Sequence, residues 1–283
     1  MEPTFTDFLI PEPAFFGPLF TMLVLALVLD AVFGDFPWLF SRIGHPVVWV
    51  GNLIAWFERR LNRPDRSNAD RLLRGTVTSL AVIAVAAAAG GLVQFVSSIG
   101  DVFRAPEVFL VAVLIAQKGL YQHVKAVSAG LKKDGIGGGR KAVSMIVGRN
   151  PDTLDEAGVS RAAIESCAEN FSDGVVAPLF WYVVGGPIGI CAYKAINTLH
   201  RNQRYLYFGR FAARLDDVAN FIPARLAGGV ICLAAFIGGK TSGKAAWKTM
   251  LSDAKKHKSP NAGWQEAAFA GALEIALAGP RQY

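Results

Sequence analysis

Residues 75–96 run without a single charged side chain. Coiled as an α-helix, such a stretch is about 33 Å long, which matches the roughly 30 Å hydrocarbon core of a bilayer. A span of that kind constrains the rest of the chain, because every neighbouring segment must be placed relative to a membrane. Its small residues over 86–91 suit close contact with another helix. Further apolar runs lie near 14–33, 105–117, 174–193 and 226–239. The chain as a whole is 52% hydrophobic and 18% charged with a mean hydropathy of +0.34, which is too apolar for an ordinary soluble domain. The sequence therefore predicts one all-α, polytopic membrane-embedded domain over 1–283, with polar segments at 35–74, 118–173, 194–225 and 240–283.

Charge decides which side those polar segments face. Segment 35–74 holds seven Arg and no Lys, and 118–173 is also basic, so the positive-inside rule assigns both to the cytoplasm. An acidic amino-terminal stretch lacking Lys and Arg is the wrong flank for a cleaved signal, so the first apolar run is expected to remain as an anchor. Spans at 14–33, 75–96 and 105–117 satisfy the charge rule. Strict alternation would then put Lys194, Arg201, Arg204, Arg210, Arg214 and Arg225 outside. A re-entrant hairpin that turns at Gly185, Gly186 and Pro187 removes the conflict, since irregular backbone is tolerated at depth when protein surrounds it. The same argument applied to 226–239, with Gly228, Gly229 and Gly238, predicts a second hairpin. About three spanning helices plus two broken hairpins result, with the main polar face toward the cytoplasm of a bacterial cell, at its inner membrane.

A net charge of +7, spread over loops, suits anionic headgroups or phosphorylated ligands, and nucleic acid is not an expected partner. Cys167, Cys191 and Cys232 are far apart and form no metal-ligand spacing, so they read as packed thiols. Thr153 with Glu156 resembles a capping box, and Ser160 is a second candidate cap for the helix beyond it. The stretch 135–141, rich in Gly, lacks the Gly-Lys-Ser/Thr order of a phosphate loop and reads as a flexible loop.

The densest polar cluster runs from Ser160 to Gly174. Arg161, Glu165 and Glu169 fall four apart on one helix face, and Asp173 follows with Asn170 between. Glu165, Glu169 and Asp173 are candidate Mg²⁺ ligands or bases, because Mg²⁺ takes oxygen donors and bridges nucleotide phosphates. The plain alternative is a solvated helix face with an ordinary ion pair. A second cluster holds Arg214, Asp216, Asp217, Asn220 and Arg225 directly before an apolar run, where charge is costly unless it is paired or serves a watery site. Arg suits bidentate phosphate binding. Lys194 and Asn197 form a polar patch after the broken hairpin, with Lys194 also readable as a snorkelling anchor. His45 before Pro46, and Asn261 within Ser-Pro-Asn-Ala-Gly-Trp, are weak signals taken singly.

In order along the chain stand Leu29-Asp30 with Gly34-Asp35, His45-Pro46 with Gly51, Val147-Gly148-Arg149, and Leu154 to Gly158. After them come Ala162 to Glu165, Glu169 to Pro178, Tyr193-Lys194 with Asn197-Thr198, Arg204-Tyr205, and Phe208-Gly209. Ala213 to Asp217, Ile222 to Arg225 and Ser259 to Trp264 complete the series. This ordered set resembles the adenosylcobinamide-phosphate synthase family, CbiB or CobD, from the first span to Tyr283. The resemblance implies an ATP-dependent amide ligase of cobalamin biosynthesis. Its substrates are the corrinoid adenosylcobyric acid and aminopropanol phosphate, or aminopropanol in some members, with ATP and Mg²⁺ as cofactors. Membrane lipid and other enzymes of the pathway are its expected surroundings.

On that reading Glu165, Glu169, Asp173 and Asp217 are catalytic candidates. Glu165, Glu169, Asp173 and Asp216 are metal candidates, and His45, Lys194, Asn197, Arg214, Arg225 and Asn261 bind substrate or phosphate. Two departures stand out: a short acid-containing piece that the family usually carries after its Asn-Thr pair is missing between Thr198 and His200, and Arg210 replaces a usual Trp. The chain also ends at Tyr283, before the tail most members carry. The rival class is a non-catalytic membrane scaffold, sensor or corrinoid transporter; a transporter predicts related halves, and none is visible.

Overall fold

The computed structural model describes residues 13–34, 36–148, 150–202, 206–238 and 242–277, apart from the side chains of 13–16, 201 and 202. Asp35, Arg149, Arg204, Tyr205, Lys240, the side chain of Arg201 and the residues leading to Tyr283 lie outside the described residues. Among the described residues the regular structure is entirely helical. The order is α1 (Pro13–Phe33), α2 (Pro37–Ile43), α3 (Pro46–Leu61), α4 (Asn68–Ser98), α5 (Ala105–Leu114) and α6 (Gln117–Val143). It continues with α7 (Glu156–Phe171), α8 (Ala177–Asn202), α9 (Arg210–Ala219), α10 (Phe221–Ile237), α11 (Gly243–Asp253) and α12 (Ala262–Leu273).

The charge-free run becomes the central part of α4. Ser67 caps this helix by accepting the Asp70 N–H, and Asp70 is flanked one turn away on either side by Arg66 and Arg74, each at 2.9 Å. Gly75, Thr78, Ser79, Val82 and Gly90 turn inward, whereas Leu73, Val77, Leu80, Val85, Leu92 and Phe95 are exposed. A helix that is apolar on its outer face requires an apolar solvent there. Asn68–Ser98 and Glu156–His200 are long and apolar enough to cross a membrane, and two bent pairs raise the number of crossings to as many as four. The protein is an all-α, polytopic membrane protein.

The segment Glu156–His200 does not run straight. Helix α8 breaks at Gly185 and Gly186, and Gly186 takes φ 58° and ψ −150°, a conformation for which Gly has no steric penalty. Beyond the break the chain folds back so closely that a Cβ on Gly189 would stand 2.1 Å from the Trp181 carbonyl oxygen. A helical hairpin therefore turns at the glycines where the sequence reading placed a reversal. Its tip lies on α4, where a Cβ on Gly90 would meet the Pro187 carbonyl oxygen at 2.4 Å.

Four expectations need correction. Residues 226–239 do not form a second hairpin: α10 is continuous through Gly228 and Gly229, and Gly228 instead admits Met250 and the Trp264 backbone against the helix. The run 105–117 is not a full span, because α5 has ten residues and is about 15 Å long. The stretch 135–141 is not a loop: α6 reverses at Gly135 and its two limbs touch at Gly130 and Gly138. Helix α7 is capped neither by Thr153 nor by Ser160. Asp155 accepts the Gly158 N–H at 2.7 Å, and its carboxylate sits directly before the first turn, where Asp is a strong cap.

Candidate active site

A cleft of about 660 Å³ opens where α7, the returning limb of α8, the first limb of α6 and the turn after α6 meet. Its wall carries Glu169, Asn170, Asp173, Lys194, Asn197 and His123. Glu169 and Asp173 come from the end of α7 and the π-helical turn Ser172–Val176 that joins it to α8. Asp173 lies within that wider turn and Glu169 just before it, and π-bulges of this kind recur at functional sites. Lys194 and Asn197 arrive from the opposite direction on the far limb of the hairpin. The reversal at Gly186 thus brings Asn197 Nδ2 to 3.0 Å from Asp173 Oδ2, across twenty-four residues of sequence.

The floor of the cleft is set by the junction between α5 and α6. Ile115 leaves the helix with ψ 151°, and the exposed N–H groups find partners on other segments. Ala116 N–H donates to the Gly174 carbonyl at 3.0 Å. Gln117 and Lys118 N–H donate to Asp30 Oδ2 at 3.0 and 3.2 Å. Asp30, fully buried in α1, therefore acts as a cap for α6 supplied from far away in sequence. It gives the Leu29-Asp30 motif a structural task that spacing alone did not reveal.

The remaining candidates divide between other places. Glu165 stands one turn before Glu169 and does not line the cleft. His45 caps α3, its Nδ1 accepting the Val47 N–H at 3.2 Å, with its ring 4.7 Å from that of Phe40. Arg214, Asp216, Asp217, Arg225 and Asn261 gather at the 46° bend between α9 and α10. Arg214 reaches Asp217 at 3.7 Å but is otherwise exposed. Asn261 donates to the Asp217 backbone carbonyl at 2.8 Å. Arg225 stacks 3.6 Å from the Phe221 ring centroid and 4.6 Å from that of Trp264, with a further bond to the Phe221 carbonyl. Asp216 and Asp217 are successive helix residues whose side chains diverge by about 100°, so α9 alone does not aim both at one ion. Among the described residues no three His, Cys, Asp or Glu side chains form a ready-made metal cluster.

Tyr193 joins the two groups. It is buried; its hydroxyl donates to Asn220 Oδ1 at 2.9 Å and lies 3.3 Å from the Asp173 carbonyl oxygen. Trp181 Nε1 donates to the Ala219 carbonyl at 3.0 Å, so both limbs of the α8 hairpin hold the α9–α10 bend. The sequence motif contained Tyr193 but gave it no task, and His123 carried no signal beyond being one of four His in the chain.

A second cleft of about 820 Å³ lies between α11, α12 and residues 275–277. Its acids are already matched: Lys256 reaches Asp253 at 2.5 Å and His257 lies 3.8 Å from Glu266. Bonds from Lys256 and Ser252 hold the Asp253 carboxyl below the usual carboxylate range. The smaller cleft is the one that gathers sequence candidates from separate segments, Glu169, Asp173, Lys194 and Asn197.

The model of the CobD/Cbib protein family matches residues 23–283. Proteins named cobalamin biosynthesis protein CobD are similar over most of their length. That of Brucella melitensis biotype 1 is 54% identical over 93% of this chain and 82% of its own. That of Sinorhizobium sp is 50% identical over 93% and 83%, and that of Rhodobacter capsulatus is 46% identical over 93% and 82%. No solved structure matches.

Proposed function

The chain belongs to the CobD/CbiB family, and from that membership we propose that it acts in cobalamin biosynthesis as an ATP-dependent amide ligase. It joins a carboxyl of adenosylcobyric acid to the amine of aminopropanol phosphate, or of aminopropanol. The observation that carries this reading is the meeting of Glu169 and Asp173 with Lys194 and Asn197 in one cleft. A carboxylate is a poor electrophile, since its leaving group would be oxide. Transfer of a phosphoryl group from ATP to the carboxylate oxygen gives an acyl phosphate, and attack by the amine then forms the C–N bond and expels phosphate.

The amine must be neutral when it attacks. Glu169 or Asp173 takes its proton, and the Asn197 amide holds the Asp173 carboxylate in place for that step. Lys194 supplies positive charge to phosphate oxygens from the facing wall. Mg²⁺ typically binds through one or two carboxylates plus substrate phosphates, so whichever of Glu169 and Asp173 does not take the proton is the residue that would hold it, and it would neutralise nucleotide charge. We assign the polar mouth to the cytoplasm, where ATP is available and where the basic segments belong.

The test is mass-spectrometric detection of product after purified protein receives adenosylcobyric acid, aminopropanol phosphate, ATP and Mg²⁺. Wild type should form adenosylcobinamide phosphate, and Glu169→Gln or Asp173→Asn should lower turnover by about 10²–10⁴-fold. Folded wild type that binds corrinoid yet yields no product would sink the ligase reading and favour a scaffold or transporter.

A further inference from the structure

We propose that the α2–α3 arm is an in-plane interfacial helix pair that binds anionic phospholipid headgroups. Gly17–Phe33 and the arm Pro37–Leu61 meet at 90°. Helix α1 exposes Phe20, Leu25, Val28, Val32 and Phe33 around its surface, as a helix surrounded by lipid does. With α1 along the membrane normal, the arm runs parallel to the membrane plane at the level where α1 leaves the hydrocarbon.

The composition of the arm fits that depth. The inner face of α3, Val50, Leu53, Ile54 and Phe57, packs on Val82, Ala195, Leu199 and Ala212. Its outer face presents Val48, Trp49, Asn52, Trp56, Arg59 and Arg60, and α2 adds Trp38, which is 65% exposed, and Arg42. Trp side chains favour the headgroup level, where an apolar ring and a polar N–H are both served. Arg60 lies 4.4 Å above the Trp56 ring, so this cation sits directly on the aromatic surface. From 37 to 63 the arm carries Arg42, Arg59, Arg60 and Arg63 against Glu58 alone, a charge surplus that an anionic surface complements. A water-facing helix has no use for two half-exposed Trp, and a hydrocarbon-facing helix does not expose paired Arg.

The position ties this surface to the cleft. The α3 inner face rests on Ala195 and Leu199, which flank Lys194 and Asn197 on the returning limb of the hairpin. Headgroups held by the arm would therefore fix the height of the cleft mouth at the membrane surface. This inference rests on the membrane-embedded fold and not on the ligase reading, so it stands or falls without any activity measurement.

The experiment uses the full chain in two arms. Mixed phosphatidylglycerol and phosphatidylcholine are retained through detergent, and native mass spectrometry counts the bound lipids. Each Arg near an anionic surface contributes about five-fold in affinity, so Arg59→Gln with Arg60→Gln should lower the phosphatidylglycerol preference roughly thirty-fold. The exposed pair Lys132→Gln with Lys133→Gln should leave it unchanged. In the second arm a spin label at Asn52→Cys in nanodiscs should report headgroup depth. An unchanged lipid preference in the Arg variant, a fully aqueous label, or a label buried against a second protein copy overturns the proposal. Unaltered elution and helicity of the Gln variants guard against misfolding as the cause.

Discussion

Two hairpins in this protein reverse the chain with almost the same backbone, at Gly135 with φ 61° and ψ −149° and at Gly186 with φ 58° and ψ −150°. The limbs they connect are chemically opposite. Around Gly135 lie Lys132, Lys133, Asp134, Arg140 and Lys141, whereas Gly186 is preceded by the run from Pro178 to Val184 and followed by Ile188 and Ile190. The limbs of α6 touch glycine to glycine, at Gly130 and Gly138, and the limbs of α8 touch where Gly189 meets the Trp181 carbonyl. The reversal is a property of glycine, while the solvent around it is set by the other side chains. Only the apolar hairpin is wedged among neighbours on several sides, with α4 at its tip and α3, α5 and α9 along its limbs.

Variants can break that comparison, beginning with the most severe. Gly189→Leu places a side chain where the Trp181 carbonyl already stands, and the limbs of α8 cannot part without disturbing α4. The expected cost exceeds about 4 kcal/mol, seen as loss of a folded species in detergent melts and size-exclusion profiles. Gly130→Ala meets the Gly138 carbonyl at 2.6 Å, yet its limbs are packed chiefly on one neighbour, α7, through Val127 and Val143. Its cost should stay near 1–3 kcal/mol. Equal losses from the two changes would show that burial of the apolar hairpin adds nothing to its rigidity.

Gly135→Ala and Gly186→Ala probe the turns themselves. Each should cost about 1–3 kcal/mol, because this backbone region is almost reserved for Gly. A Cβ at 135 meets nothing within 4 Å, while one at 186 meets Gln94 Oε1 at 3.4 Å, so a difference between the two melts reports the Gln94 contact. Asn197→Leu removes the amide that donates to Asp173 in the cleft. Turnover should fall about ten- to hundred-fold, as expected for a lost bond to a carboxylate of 1–3 kcal/mol. If stability falls as far as turnover does, Asn197 is a packing residue and not a positioning one. Smallest of all, Gly137→Ala enters open space within a helical limb and should raise stability by about 0.5–1 kcal/mol, read as a higher Tm.

Much of this architecture was legible before any coordinates. The charge-free run of α4 had few alternatives once hydrogen-bond satisfaction in lipid is considered. The reversal at Gly185 to Pro187 was legible from its glycine break, whereas the charge argument for it counted 105–117 as a third span, which α5 is too short to be. The same reasoning failed at 226–239. There Gly228 is not a break but a place for Met250 and the Trp264 backbone to approach, and a glycine in one sequence is silent on which of these it does. The Gly-rich stretch after Asp134 was misread for the same reason. In the cleft, Glu169, Asp173, Lys194 and Asn197 were all candidates, whereas the separation of His45, Arg214 and Arg225 from them, and the inclusion of His123, could not be read from spacing.

What the sequence by itself determined is the solvent, the all-helical class and the stock of charged groups, because hydropathy acts locally, whereas it left open whether a glycine breaks a helix or admits a neighbour. What only the tertiary structure decided is which of those groups meet. Asp173 and Asn197 are joined because a single residue with positive φ folds one limb of α8 back along the other, and the distance between two side chains after such a reversal depends on packing with α4 and α3 that no local pattern encodes.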